Sequence, residues 1–147
     1  MNAKNLAGLS NMFDKYSQDI ELYSQSFHDN LLSYWKNHDA LHHFFTVSQD
    51  ENGNIAGTIS KLNFSFITHN RFVISPDELL SEVNFITNTD NKEISLLKCY
   101  IHYTKEFTFE TASSEELFDI EYDDVIERRI FNEVIKSAYD KELISAD

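Results

Sequence analysis

The spacing of apolar residues changes period twice along this chain, and nothing else in the sequence constrains the fold as strongly. Leu6, Leu9, Phe13, Tyr16, Ile20, Tyr23 and Phe27 recur at alternating intervals of three and four. That spacing places them on one stripe of an amphipathic helix. Leu31, Tyr34 and Trp35 continue the apolar character after a slight bend. From Leu41 the period falls toward two. Residues 41–48 read as a strand, and Asp50-Glu51-Asn52-Gly53-Asn54 as a turn, with Asn52-Gly53 suited to positive φ. Residues 55–68 read as one long strand, in which Leu62, Phe64 and Phe66 alternate with Lys61, Asn63 and Ser65. One buried face and one wet face is the mark of an antiparallel sheet.

Residues 71–74 form a short extended piece. Ser75-Pro76-Asp77-Glu78 combines an N-cap residue, proline at the first helical position and a glutamate three residues after the cap. This predicts a short helix over 76–81. Residues 83–87 are strand-like, Asn88-Thr89-Asp90-Asn91 is a turn, and 94–103 is a strong strand. Leu97, Cys99, Ile101 and Tyr103 share one of its faces, and Ile94, Leu96, Tyr100 and His102 the other. Thr104-Lys105 turns the chain toward a last strand at Phe107 and Phe109. Ser113 with Glu116 spells a second capping box. Val125, Ile126, Ile130, Phe131, Val134, Ile135, Ala138 and Tyr139 then form the stripe of a C-terminal helix, with Asp123 and Asp124 at its positive end.

The expected fold is α+β: an antiparallel meander of four to six strands packed against long N-terminal and C-terminal helices. The 147 residues favour a single domain over 1–147. Twelve Phe, seven Tyr and one Trp supply an ample core without staples. The N-terminal stripe, or an exposed strand edge, is also compatible with a homodimer.

Charge is the strongest pointer to function. The formal net charge is −13, and its distribution is uneven. Residues 1–75 carry five Lys+Arg and seven Asp+Glu, whereas 76–147 carry seven and eighteen. From Glu106 to Glu127 there are nine acids and no Lys or Arg. Phe107, Phe109, Phe118 and Tyr122 are interleaved with them, enough apolar matter to anchor the segment on a fold. A chain of this charge disfavours direct contact with nucleic-acid phosphates or anionic membranes and favours a basic protein. The expected contact region is Glu110, Glu115, Glu116, Phe118, Asp119, Glu121, Tyr122, Asp123 and Asp124. Acids there steer a basic partner, and Phe118 and Tyr122 serve as apolar anchors where they are exposed. The plainer alternative is that the acids only solvate the surface and one helix end.

No motif specifies a reaction. Three glycines leave no phosphate-cradling loop, and there is no GxSxG elbow and no P-loop. The acids from Asp119 to Asp124 lack the glycine and alternation of a calcium loop. His38 with His42, and Asp39 with His43, have helical spacing but no third ligand. His102 falls on the face opposite Cys99, which argues against a Cys/His pair. Cys99 is the only cysteine, so it has no disulfide partner in the chain and reads as a small core residue. No catalytic residue, metal or cofactor is expected. With no leader-like or membrane-spanning stretch, a cytoplasmic location fits. The profile predicts a small non-catalytic binding module, an inhibitor, an immunity-type protein or an escort that caps a basic partner. Two alternatives are a nucleic-acid mimic that inhibits a DNA- or RNA-binding enzyme, and a small-ligand binder or enzyme with a sheet–helix pocket.

Overall fold

The computed structural model describes residues 5–110, 117–120 and 125–144. Asn5 opens the first helix by accepting the Gly8 N–H on its Oδ1 at 2.8 Å. Helix α1 (Leu6–Met12) runs through a π-helical turn (Phe13–Ser17) into α2 (Gln18–Asn37). The wider π turn shifts the phase of the apolar stripe. Met12, off the predicted stripe, is therefore buried, while Leu6 is 83% exposed. Beyond the π turn the stripe holds, with Ile20, Phe27, Leu31 and Trp35 all buried.

Seven antiparallel strands follow in sequential order. They are β1 (Thr46–Gln49), β2 (Ile55–Ile59), β3 (Phe64–Ile74), β4 (Leu79–Thr89), β5 (Lys92–Ile101), β6 (Glu106–Phe109) and β7 (Phe118–Asp119). Helix α3 (Val125–Asp140) comes after them. The class is α+β, as the apolar periods indicate, but seven strands exceed the four to six expected.

The added strand is β7, and the predicted long strand over 55–68 is broken, its second half merging with 71–74 into β3. Ser60–Leu62 winds a single 3-10 turn and Asn63 takes φ 51°, which Asn tolerates better than most residues. Leu62, expected beside Phe64 and Phe66 in the core, is 43% exposed. The predicted helix over 76–81 is absent. Ser75–Glu78 makes a tight turn around a cis Ser75-Pro76 bond, closed by Ser75 N–H donating to Glu78 O at 3.0 Å, and β4 starts at Leu79. The capping-box residues also spell a turn, and sheet pairing decided between them. The chain between α2 and β1 turns through 39–44 instead of forming the first half of a strand. The proposed Ser113 cap and the acids Asp123 and Asp124 lie outside the described residues.

Both long helices cover the same face of the sheet. Phe27 stacks on Phe107 at 5.1 Å between ring centroids. Trp35 meets Phe45, Phe66 and Phe131 edge-on. From α3, Ile126, Ile130, Val134 and Ala138 complete the core. The β4–β5 register shifts between Phe85 and Ile86. Leu96 is the extra residue of this bulge, so Leu96 and Leu97 both enter the core, and the alternation expected of β5 fails there. The hairpin tip is Asp90-Asn91, both in left-handed conformation. Among the described residues no helix is long and apolar enough to cross a membrane.

Gly57 faces this core. A Cβ there would lie 2.5 Å from Phe66 Cζ and 2.7 Å from the Phe45 ring. Both rings are wedged against Trp35 and cannot yield independently. Gly57→Ala is expected to destabilise the fold by about 1–3 kcal/mol through overpacking. Urea unfolding followed by Trp35 fluorescence should show a lower midpoint with an unchanged m-value.

Candidate functional site

The sheet face away from α2 and α3 carries no helix among the described residues, and strand register arranges polar side chains on it in rows. One row crosses four strands: Arg71 on β3, Glu82 on β4, Tyr100 on β5 and Thr108 on β6. Glu82 is only 5% exposed. Its carboxylate accepts from Arg71 Nε at 3.0 Å and from the Tyr100 hydroxyl at 3.4 Å. A carboxylate this shielded needs such partners, because desolvation of an unpaired charge is costly. Ser95 Oγ donates to Asn84 Oδ1 at 2.6 Å and continues the network toward the hairpin tip.

The next row is acidic. Glu106 on β6 and Asp119 on β7 stand directly opposite in register. The inward pair beside them is Phe107 and Phe118. Alternation therefore directs both carboxylates to the open face. Beside them His102 hydrogen-bonds through Nδ1 to Glu78 Oε1 at 2.9 Å and through Nε2 to Thr108 Oγ1 at 3.3 Å. A cleft of about 470 Å³ opens here, lined by Tyr16, Asp77, Glu78, His102, Tyr103 and Glu106, among others. The π turn delivers Tyr16, whose ring lies 4.4 Å from that of Tyr103. Three carboxylates and two phenol rings bound one concave site. Both groups favour a cation, the carboxylates by charge and the rings by their quadrupoles.

Glu78, His102 and Thr108 follow each other as carboxylate, imidazole and hydroxyl, the connectivity of a nucleophilic triad. Acyl transfer also needs donors for an oxyanion. Thr108 lies inside β6, paired with Tyr100 of β5, where backbone N–H groups serve the ladder. The network orients Glu78 and fixes the imidazole; it does not assemble a nucleophilic centre.

The residues predicted from sequence divide three ways. Asp119 joins the acidic row. Glu110 is exposed at the end of β6, its N–H bonded to Lys98 O at 3.1 Å. Phe118 points inward, 5.6 Å from Phe109, with the Arg129 guanidinium above its ring at 5.5 Å. It anchors β7 to the core and is half-buried. Glu115, Glu116, Glu121, Tyr122, Asp123 and Asp124 lie outside the described residues. Sequence reasoning missed Asp77 and Glu78, which it assigned to a helix cap, and Tyr16 and Tyr103, which it assigned to core stripes. Their signal was the turn chemistry of Ser75-Pro76-Asp77-Glu78.

Cys99 is buried, and burial first, then Glu110 and Glu133, holds its thiol well above its usual pKa. A neutral, enclosed thiol is unreactive. Among the described residues no three His, Cys, Asp or Glu side chains converge as metal ligands. No family model matches the chain, and neither a curated protein nor a solved structure does.

Burial, then Glu82, pushes the Tyr100 phenol up to about 12 from its usual value of 10.0. The folded state therefore holds this proton more tightly than the unfolded chain. The associated stability is complete below pH 10 and declines as pH rises toward 12. In an ultraviolet phenolate titration, one of the seven tyrosines should ionise later than an ordinary phenol. Glu82→Gln should move that transition to lower pH, and an unmoved transition would contradict the assigned electrostatic contribution.

Proposed function

We propose that this protein is a non-catalytic binding module that caps a basic protein partner, as an inhibitor, immunity-type protein or escort. The observation that carries the reading is the joining of two distant acidic segments on one open face. The turn holding Asp77 and Glu78 meets Glu106 of β6 across His102, and Asp119 pairs with Glu106 from β7. The cleft they form with Tyr16 and Tyr103 suits a lysine or arginine side chain. Sheet register holds these acids in place, so little ordering entropy opposes docking. In sequence, five further acids, Glu115, Glu116, Glu121, Asp123 and Asp124, flank Asp119. The single buried thiol accords with a cytosolic home. Mimicry of a nucleic-acid backbone is the second reading; it would need carboxylates spaced like duplex phosphates along one face, and competition by DNA would favour it.

Charge at such a rim acts mainly on association rate and its salt dependence. Asp77→Lys, Glu78→Lys and Glu106→Lys together are expected to slow capture of the partner by about tenfold or more at low salt. At 1 M salt, where the Debye length is about 3 Å, the difference should largely vanish. The measurement is affinity capture from the source cell with the wild-type chain, identification of any stoichiometric high-pI protein, then association kinetics with each purified variant. Unaltered far-ultraviolet circular dichroism would confirm the variant's fold. A captured partner that is acidic, or one that binds the reversed variant at the same rate, would overturn the proposal.

A further inference from the structure

Strand β3 is longer than its neighbour. β2 pairs with it only from Ile59↔Phe64 to Ala56↔Ile67, while β3 continues to pair with β4 as far as Ile74↔Leu79. The last tie on the β2 side is Ile55 N–H donating to Thr68 Oγ1 at 2.9 Å. Beyond it the chain cannot follow the strand. Asp50 Oδ1 accepts the N–H groups of both Asn52 and Asn54 at 2.9 Å and folds them into the β1–β2 turn. Among the described residues, no strand pairs with 69–74 on the β2 side, where the turn residues Asn52, Gly53 and Asn54 line one cleft with Asn70, Arg71 and Phe72. This leaves a lane in line with β2, about 20 Å long at the usual rise per residue.

The lane has a shaped inner wall. Helix α2 and the sheet splay apart there around a cleft of about 340 Å³, lined by Ile20, Ser24, His28, Asn70, Phe72 and Ser81, among others. His28 is 5% exposed and Ser81 6%. His28 Nδ1 donates to Ser24 O at 2.7 Å, and the other ring nitrogen, Nε2, is left to the cleft. Among the described residues neither this Nε2 nor the Ser81 hydroxyl has a hydrogen-bond partner. Asn70 Nδ2 reaches Ser24 Oγ at 3.2 Å and leaves its carbonyl as an acceptor. A bare strand edge beside a cleft with waiting polar groups is the arrangement used in strand addition. The main chain of the incoming segment pairs with the edge, and alternate side chains fill the cleft.

The geometry points to this lane as the docking site for an extended segment of another protein, added antiparallel to β3. The side chain entering the cleft is small and polar, as Ser, Thr or Asn is, to meet His28 Nε2, the Ser81 hydroxyl and the Asn70 carbonyl. A second copy of this chain is a poor occupant, since it would bring a net charge of −13 against −13. A segment bearing Lys or Arg is the complement. That choice of charge rests on the proposed basic partner; the lane itself does not.

The test uses the full chain and a displayed random short-peptide library as probe. The strongest binder is synthesised, and amide hydrogen exchange is mapped with and without it. The expected result is new protection at 69–74, loss of at least tenfold in affinity when alternate peptide amides are N-methylated, and enrichment of Lys or Arg outside the cleft position. Three results would overturn the lane: no peptide selected, protection confined to other segments, or binding indifferent to N-methylation. Protection of 69–74 without peptide in a sedimenting dimer would overturn it as well, by naming a second copy as occupant. Neutral peptides that protect 69–74 would support the lane and count against the basic-partner reading. Basic peptides that protect only 77–78 and 102–106 would do the reverse.

Discussion

Trp35 is the contact on which the arrangement of layers depends. Its indole touches Phe45 ahead of β1, Phe66 on β3 and Phe131 on α3, and its Nε1 donates to Glu127 O at 3.3 Å. One side chain from α2 thus joins the start of the sheet, its middle and the second helix. Each aromatic pair adds about 0.5–1.5 kcal/mol beyond burial, and the indole N–H finds its acceptor inside the core. Since Phe131 and Glu127 belong to α3, the two helices are fixed to the same sheet face. A sheet face that carries no helix among the described residues must be polar. The four-strand row from Arg71 to Thr108 follows from that requirement, and so does the acidic row beside it.

The open face separates charges by depth. Glu82 is shielded and satisfied by Arg71 and Tyr100, so it acts as an internal tie between β3, β4 and β5. Glu106 and Asp119 sit opposite each other near the margin, where carboxylates in register repel by a few tenths of a kcal/mol or more. The fold accommodates that repulsion beside an inward aromatic pair, Phe107 and Phe118, with Arg129 above Phe118. Apolar burial beneath the acids holds the charge cluster rigid, which a solvated tail of the same composition could not do.

Periods were legible in the sequence wherever the backbone stayed regular. The stripe from Ile20 to Trp35, the alternation of Phe64 with Phe66, and the stripe from Ile126 to Ala138 all face the core as their spacing predicts. Each miss coincides with one irregular turn. The π turn at Phe13–Ser17 displaced the first part of the stripe, so Tyr16 came to line a cleft. Asn63 in left-handed conformation divided one predicted strand into two and turned Leu62 outward. The bulge at Leu96 put two consecutive leucines inside. A capping box and a tight turn use the same residues, so local chemistry at Ser75–Glu78 could not choose between them. The acidic cleft was invisible for the same reason: it joins residues from three separate segments, and only strand register brings them together.

Among the described residues, unequal strand lengths leave several strand edges without a neighbour, and they are not equivalent. β1 is four residues long, too short to template much pairing. On β5 the stretch 92–97 lies outside the β6 pairing, but Lys92, Glu93 and Lys98 bracket it with charge, the common protection of an exposed edge. The edge of β3 differs. Its one cation, Arg71, is drawn to Glu82 on the open face. Beside the edge stands a cleft lined by polar groups, where a protected edge would present charge or a bulge. An edge left without the usual protection in a chain of strong negative charge is tolerable, because like copies repel before they can pair. In the proposed docking, the charge that opposes pairing of like copies is the charge that suits a segment of opposite sign.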